Sequence, residues 1–342
     1  MTAFHASPDH AARYLVRSAI TAPSPYNTQP WRFVNRGDEL QLHGDPSRHL
    51  AVADPNGREM LISCGAALFS LRLAVRHLGF LPLVHTFPDS ARPWHLATVR
   101  WGPCAPSTAA EETLFTALPH RHTHRGPFQS DPLPLTFLDA LRQLAPQEGV
   151  ELYTVSDART LRELSGLIRA AENARRGHPA FSTELANWTP PNRSGRRDGI
   201  PGFAYPRDPD TTAFAGRDYA GHARMGYVGR TSFHGVRPSL GLVVLLNTRL
   251  DRPADWLRAG QGLQLILLYA AAHRICVAFH TQPLELPELR RQVRRAVVTA
   301  GRPQAILRLG YGSSGARPTP RRAVDDVLCR TQGPTGPAVR AH

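Results

Sequence analysis

The sequence predicts an α+β fold in two pseudo-symmetric halves, an intrachain pseudo-dimer, and three observations lead there. Helix-period segments alternate with short strand-period segments that read as hairpins and returns. The pattern Gly65-x-x-Leu68-x-x-Leu71-x-Leu73 recurs as Gly260-x-x-Leu263-x-x-Ile266-x-Leu268, and each copy is followed by a strand ending Arg100-Trp101-Gly102 or Arg308-Leu309-Gly310. A chain of 342 residues also has the length of roughly two domains. The expected halves are 1–105 and 106–330, with an insertion at about 175–237 in the second and a flexible tail over 331–342.

Taken in order, a first helix starts at the cap Ser7 with Pro8 in its first turn, carries apolar residues at Ala11, Ala12, Leu15, Val16, Ala19 and Ile20, and ends before Pro23. Segments 31–35 and 39–42 form a hairpin through Arg36-Gly37-Asp38. A long helix over about 58–77 follows, then strands 83–87 and 95–101 and a breaker-rich linker over 102–107. The second unit opens on Thr108-x-x-Glu111, spaced as a capping box for a helix reaching Leu118. Helices over 135–144, 158–174, 254–273 and 288–300 alternate with strands over 150–155, 240–246 and 304–309. Ala22-Pro23 after the first helix matches Ala145-Pro146 after the helix of the second unit, which adds to the repeat.

The 41 basic side chains exceed the 27 acidic ones by +14, and every one is arginine. Without lysine, a Walker-type loop, a Schiff base and a Ser-Lys pair are all excluded. Cys64, Cys104, Cys276 and Cys329 lie far apart with no C-x-x-C pair, which predicts reduced thiols and no structural metal. The N-terminal stretch is broken by Asp9, His10 and Arg13, and the longest apolar runs, 240–246 and 263–272, are too short to cross a bilayer. A cytoplasmic chain without membrane contact is expected.

Two segments carry candidate chemistry. Between the first helix and first strand, residues 22–33 pack Ser24, Asn27, Thr28 and Gln29 among three prolines, a rigid turn rich in donors and acceptors. It suits a flat heterocycle with polar edges, or amides that satisfy one another. In Arg121-His122-Thr123-His124-Arg125 the arginines and threonine alternate and project to one side of an extended backbone, matched to phosphate oxygens. His120, His122 and His124 also alternate, but interleaved arginines would set cations beside a metal. Gly260-x-Gly262 lies within an amphipathic helix and lacks the third glycine of a dinucleotide fingerprint. Arginines 290, 291, 294 and 295 form a basic helix face, read as solvated and not as a nucleic-acid footprint because no aromatic residue is interleaved.

Together the proline-serine turn running into Asn27-x-Gln29-Pro30-Trp31, the Arg121-x-Thr123-x-Arg125 segment, and the late strand Pro303-Gln304-x-x-x-Arg308-x-Gly310-Tyr311 resemble the FMN-dependent nitroreductase superfamily. The duplication is similar to its Acg-like branch, in which two nitroreductase folds are fused. The resemblance spans about residues 8–328 and implies a tandem nitroreductase-like fold. It implies that Arg121, Thr123 and Arg125 meet the phosphate and pyrimidine edge of FMN, with His122 adjacent, while Ser24, Asn27 and Gln29 line the other side of the flavin. Thr281 and Gln282 fall where the family sets backbone against the ring, and Arg321 or Arg322 where it brings a second phosphate-binding cation, often a lysine.

Each half then supplies what the other lacks, which implies one FMN per chain and a monomer. The implied activity is a ping-pong oxidoreductase taking electrons from NADPH or NADH and passing them to a nitroaromatic, quinone or similar small molecule. An alternative is a non-catalytic protein that stores FMN beneath the insertion, with Trp188 or Phe203 against the ring.

Overall fold

The computed structural model describes residues 8–204, 212–214, 216–217, 219, 239–297, 301–312 and 318–330. Up to residue 104 the chain forms α1 (Pro8–Ala19), β1 (Trp31–Asn35), β2 (Glu39–Gly44), α2 (Arg58–His77), β3 (Phe80–Thr86) and β4 (His95–Cys104). It continues through α3 (Ala109–Ala117), α4 (Leu135–Leu144), β5 (Glu151–Val155), α5 (Ala158–Arg176), α6 (Pro179–Asn187) and β6 (Leu242–Thr248). Then come α7 (Pro253–Ala272), β7 (Cys276–Phe279), α8 (Pro287–Ala296), β8 (Arg302–Gly310), α9 (Val324–Val327) and β9 (Leu328–Arg330). The Ser7 cap, helical residues 298–300 and the expected tail 331–342 lie outside the described residues.

One sheet has the order β3-β4-β2-β1-β9 and the other β5-β6-β8-β7. Reading β1, β2, β3 and β4 against β5, β6, β7 and β8, the two sheets share strand order and antiparallel pairing. Trp31 and Phe33 are fully buried on either side of exposed Arg32, the alternation that fixes which face of β1 meets the core. The strand β9 is an addition to this plan, pairing in parallel with β1 through Phe33 and Leu328.

The helices α2 and α7 are apolar almost all round because they run through the middle of the protein. They cross at the two glycines of the sequence repeat. A Cβ on Gly65 would overlap the Leu257 carbonyl oxygen, and one on Gly260 would overlap that of Ile62. Each helix also sends a side chain into the other's core: Leu257 packs with the β1–β4 sheet and Ile62 with the β5–β8 sheet. Matching residues thus meet matching residues, the arrangement a two-fold interface requires. By length and composition α2 could cross a membrane, and 83% of that apolar stretch is buried within the protein.

Four elements were not expected from the sequence: β7, β9, α6 and α9. The connection between β5 and β6 runs over 156–241 and includes α5 and α6, whereas residues 36–38 alone join β1 to β2. The insertion expected at about 175–237 falls within this connection.

Candidate functional site

The turn after α1 is locked by its own chemistry. The Ser24 hydroxyl accepts the Gln29 backbone N–H at 2.9 Å, and Tyr26, Asn27 and Gln29 all take positive φ (52°, 55° and 51°). Three non-glycine residues in that region mark a strained segment held by its surroundings. Opposite it, the 121–125 segment lies beside β7: Thr123 bridges Val277 in parallel, and the His124 N–H donates to the Val277 carbonyl at 2.9 Å. Between these segments lies a cavity of about 350 Å³, closed below by Ile62 and Ser63 of α2 and Leu263 of α7. Thr281 and Gln282, in the turn after β7, form a further wall.

Arg125 borders this cavity, and Arg121 and Arg321 stand close enough to it to repel it and each other. Arg121 and Arg321 each donate to the Thr21 carbonyl, at 3.2 and 3.3 Å. Burial, then Arg321 and Arg125, pulls the Arg121 guanidinium down to about 9; burial, then Arg125, pulls Arg321 down to about 10. Both remain cationic at neutral pH. No carboxylate among the described residues pairs with either, and Arg121 keeps Nε and Nη1 buried without a hydrogen-bond partner. Buried cations gathered without a counter-charge make a site for a multiply charged anion. Gln282 points the same way: it is 2% exposed, and neither its Oε1 nor its Nε2 has a partner among the described residues.

Comparison with known proteins gives the family. No family model matches the chain. A Mycobacterium tuberculosis H37Rv protein named as an NAD(P)H nitroreductase is 32% identical over 322 residues, covering 92% of this chain and 90% of that protein. The chain belongs to the nitroreductase family. A second relative from the same organism, named as the NAD(P)H nitroreductase acg, is 30% identical and spans 92% of this chain and 93% of its own length. That match sets the chain in the Acg branch. Among solved structures, the FMN and NADPH-dependent nitroreductase NfnB of a Sphingopyxis strain is 16% identical, with a TM-score of 0.39, covering 66% of this chain and all of that one. The Bacteroides fragilis nitroreductase with bound FMN is 12% identical, with a TM-score of 0.36, covering 69% of this chain and all of that one. Overlaps of that size leave the family resting on the sequence relatives.

In this nitroreductase-family chain Ser24, Thr123, Arg125, Thr281 and Gln282 border one cavity; Arg121 and Arg321 lie near Arg125 without lining it, and Arg121 borders a second cavity with His122. Four expected residues sit elsewhere. The Asn27 amide donates to the carbonyls of Gly199 and Pro320, both at 3.0 Å, and its Oδ1 accepts from Arg321. Gln29 donates to the Arg197 carbonyl at 2.8 Å and accepts the Arg322 backbone N–H at 2.8 Å. Both amides are therefore spent tying the long connection and the chain end to the turn. Arg322 reaches the Gln29 and Asp326 carbonyls, so Arg321 alone of that pair joins the arginine group. His122 donates to the His120 carbonyl at 3.0 Å and borders a second cavity on the far side of its segment.

The long connection contributes to the cavity wall, though not with the residues expected. Trp188 lies between Arg48 and Arg196, with guanidinium carbons 5.2 and 5.8 Å from its ring, and Phe203 is 38% exposed. Neither borders the cavity; Ile200, Arg217 and Tyr219 do. Arg217 donates to Glu285 at 2.6 Å, Arg175 pairs with the same carboxylate, and Glu172 lies 3.8 Å from Arg217. Sequence reasoning missed Tyr26, Arg217 and Glu285. Tyr26 at least stood inside a motif already singled out.

Proposed function

We propose that this chain binds one FMN and uses it as an NAD(P)H-dependent oxidoreductase on small flat acceptors such as nitroaromatics and quinones. The convergence of Arg121 and Arg321, which no carboxylate among the described residues meets, beside Arg125 is the observation that carries the reading, since a phosphate monoester supplies a charge to match them. Once bound, FMN supplies hydride chemistry between a nicotinamide and an acceptor. The chain's own residues bind and orient it. Arg121 and Arg321, anchored on Thr21, hold the phosphate end. Gln282 offers both a donor and an acceptor to a heterocycle edge, and Thr123, Thr281 and Ser24 add hydroxyls. Ile62, Leu263 and Ile200 keep water from the space between them.

The register of the two central helices supports one site per chain. Ser63 on α2 corresponds to Arg258 on α7, and the turn at Pro23 to the turn at Pro146. There Arg258 packs so closely on Gly149 that no Cβ fits, while Arg72 pairs with Glu148 at 2.7 Å. With both working segments in one chain, a monomer suffices. Purified protein should be yellow and carry equimolar FMN, and Arg121→Ala with Arg125→Ala should strip it. Colourless wild-type protein, or full FMN in the double variant, overturns the reading.

A second reading, a protein that sequesters FMN without turning it over, draws support from how firmly the long connection is fastened. Glu184 accepts the Val52 and Ala53 backbone N–H groups at 3.0 and 2.9 Å, and Asp198 pairs with Arg48. Anaerobic mixing with NADPH decides between them: bleaching of the flavin absorption selects the oxidoreductase, and a spectrum unchanged over minutes selects storage.

A further inference from the structure

Away from the arginine group, the cavity ends against Tyr26, Arg217, Tyr219 and Glu285. Tyr26 is 1% exposed and fixed on three sides. Phe181 and Tyr219 meet its ring edge-on at 6.4 and 5.7 Å, and the Arg217 guanidinium lies 4.9 Å over its face. Its hydroxyl nonetheless has no hydrogen-bond partner among the described residues. Phenylalanine would pack the same way without the cost of an unpaired buried hydroxyl, so packing gives no reason for the oxygen. Among the described residues the cations beside it are matched by carboxylates: Arg175 and Arg217 face Glu172 and Glu285, Glu59 pairs with Arg58, and Glu184 adds a further negative charge near the phenol.

Resting on the flavoprotein reading above, we propose that the Tyr26 hydroxyl donates a hydrogen bond to the reducible oxygen of the electron acceptor, and that this acceptor is an uncharged quinone or nitroaromatic. Burial pushes the phenol up to about 12, so it keeps its proton, and with it the ability to donate, at every physiological pH. A phenol can donate to a carbonyl or nitro oxygen in the ground state, and the bond strengthens as that oxygen gains negative charge. Among the described residues a carboxylated acceptor finds no cation at this end that lacks a carboxylate partner, and so nothing to offset its desolvation.

The experiment uses the oxidised holoprotein and reads binding, not turnover. In Tyr26→Phe the FMN content should stay equal to wild type and the Tm should hold or rise, while menadione, followed by quenching of flavin fluorescence, binds roughly fivefold to tenfold more weakly. A purely structural hydroxyl would lower the Tm on removal and leave menadione alone. Equal menadione affinity in a yellow Tyr26→Phe protein overturns the proposal. On wild-type protein, independent of any variant, nitrobenzene should bind more tightly than 4-nitrobenzoate, and the reverse order also overturns it. Wild-type protein without flavin would instead defeat the underlying flavoprotein reading, an outcome visible before any acceptor is added.

Discussion

Where the turn after α1 meets α2, the turn carries bulky Tyr26 and the helix carries small Ser63, and the space between them is open. At the matching place on α7 the sizes are exchanged: the turn carries Gly149, and the Arg258 side chain lies in the gap. The same backbone plan therefore yields a binding cavity on one side and a filled wedge on the other. Side-chain volume at two positions per side accounts for the difference, with no change in strand order.

The largest expected effect comes from breaking the crossing that relates the two sides. Gly65→Ala or Gly260→Ala should cost about 3–5 kcal/mol, read as a fall in Tm or loss of folded protein, because the new methyl meets a backbone carbonyl that cannot swing aside. Next comes Arg121→Ala, which should weaken FMN binding roughly tenfold to a hundredfold by equilibrium dialysis. The same change should leave the FMN-free protein as stable or more so, since it removes a desolvated cation repelled by two others. A loss of both would mean that Arg121 holds the fold and not a ligand.

Asp54 sharpens the comparison at the helix N-termini. It caps α2 by accepting the Met60 N–H at 2.9 Å, and burial, with Glu59 adding, pushes its carboxyl from 3.8 up to about 6. A carboxyl raised in the folded state holds its proton more tightly than in the unfolded chain, so stability falls as pH rises from about 4 through 6. Asp54→Asn keeps a capping oxygen and removes the charge, so the Tm should lose that slope and gain roughly 1–3 kcal/mol of stability at pH 7. α7 is capped instead by Asp255, which Arg252 and Arg258 both contact. The smallest effect is expected from Arg258→Ser on the filled side. FMN should stay at one per chain, with a stability change below about 1 kcal/mol, and a second equivalent of FMN would show that the wedge alone had closed the site.

Helices with a long apolar stripe and the hairpin at Gly37 were legible in the sequence because their signal is local. The strand β7 has four residues and β9 three, too few to show a period, and β9 is defined by a partner some three hundred positions earlier. The helix α6 buries only Phe181 and so carries no stripe. At the candidate site, Arg121, Thr123 and Arg125 stood out because their alternation is itself a geometric statement. The amides of Asn27 and Gln29 misled because their partners, Gly199, Arg197 and the 320–322 segment, are remote in sequence. Arg217 belongs to no pattern at all, and only tertiary placement brings it to Glu285.

Because β9 completes the β1 edge and Arg321 lies a few residues before it, residues up to about 330 must be made before the first sheet can close. Until then the flank of β1 stays open to pairing with any passing strand. A stop codon upstream of that segment would remove a sheet strand and a buried guanidinium of the arginine group together, so a truncated product would keep an unpaired strand edge.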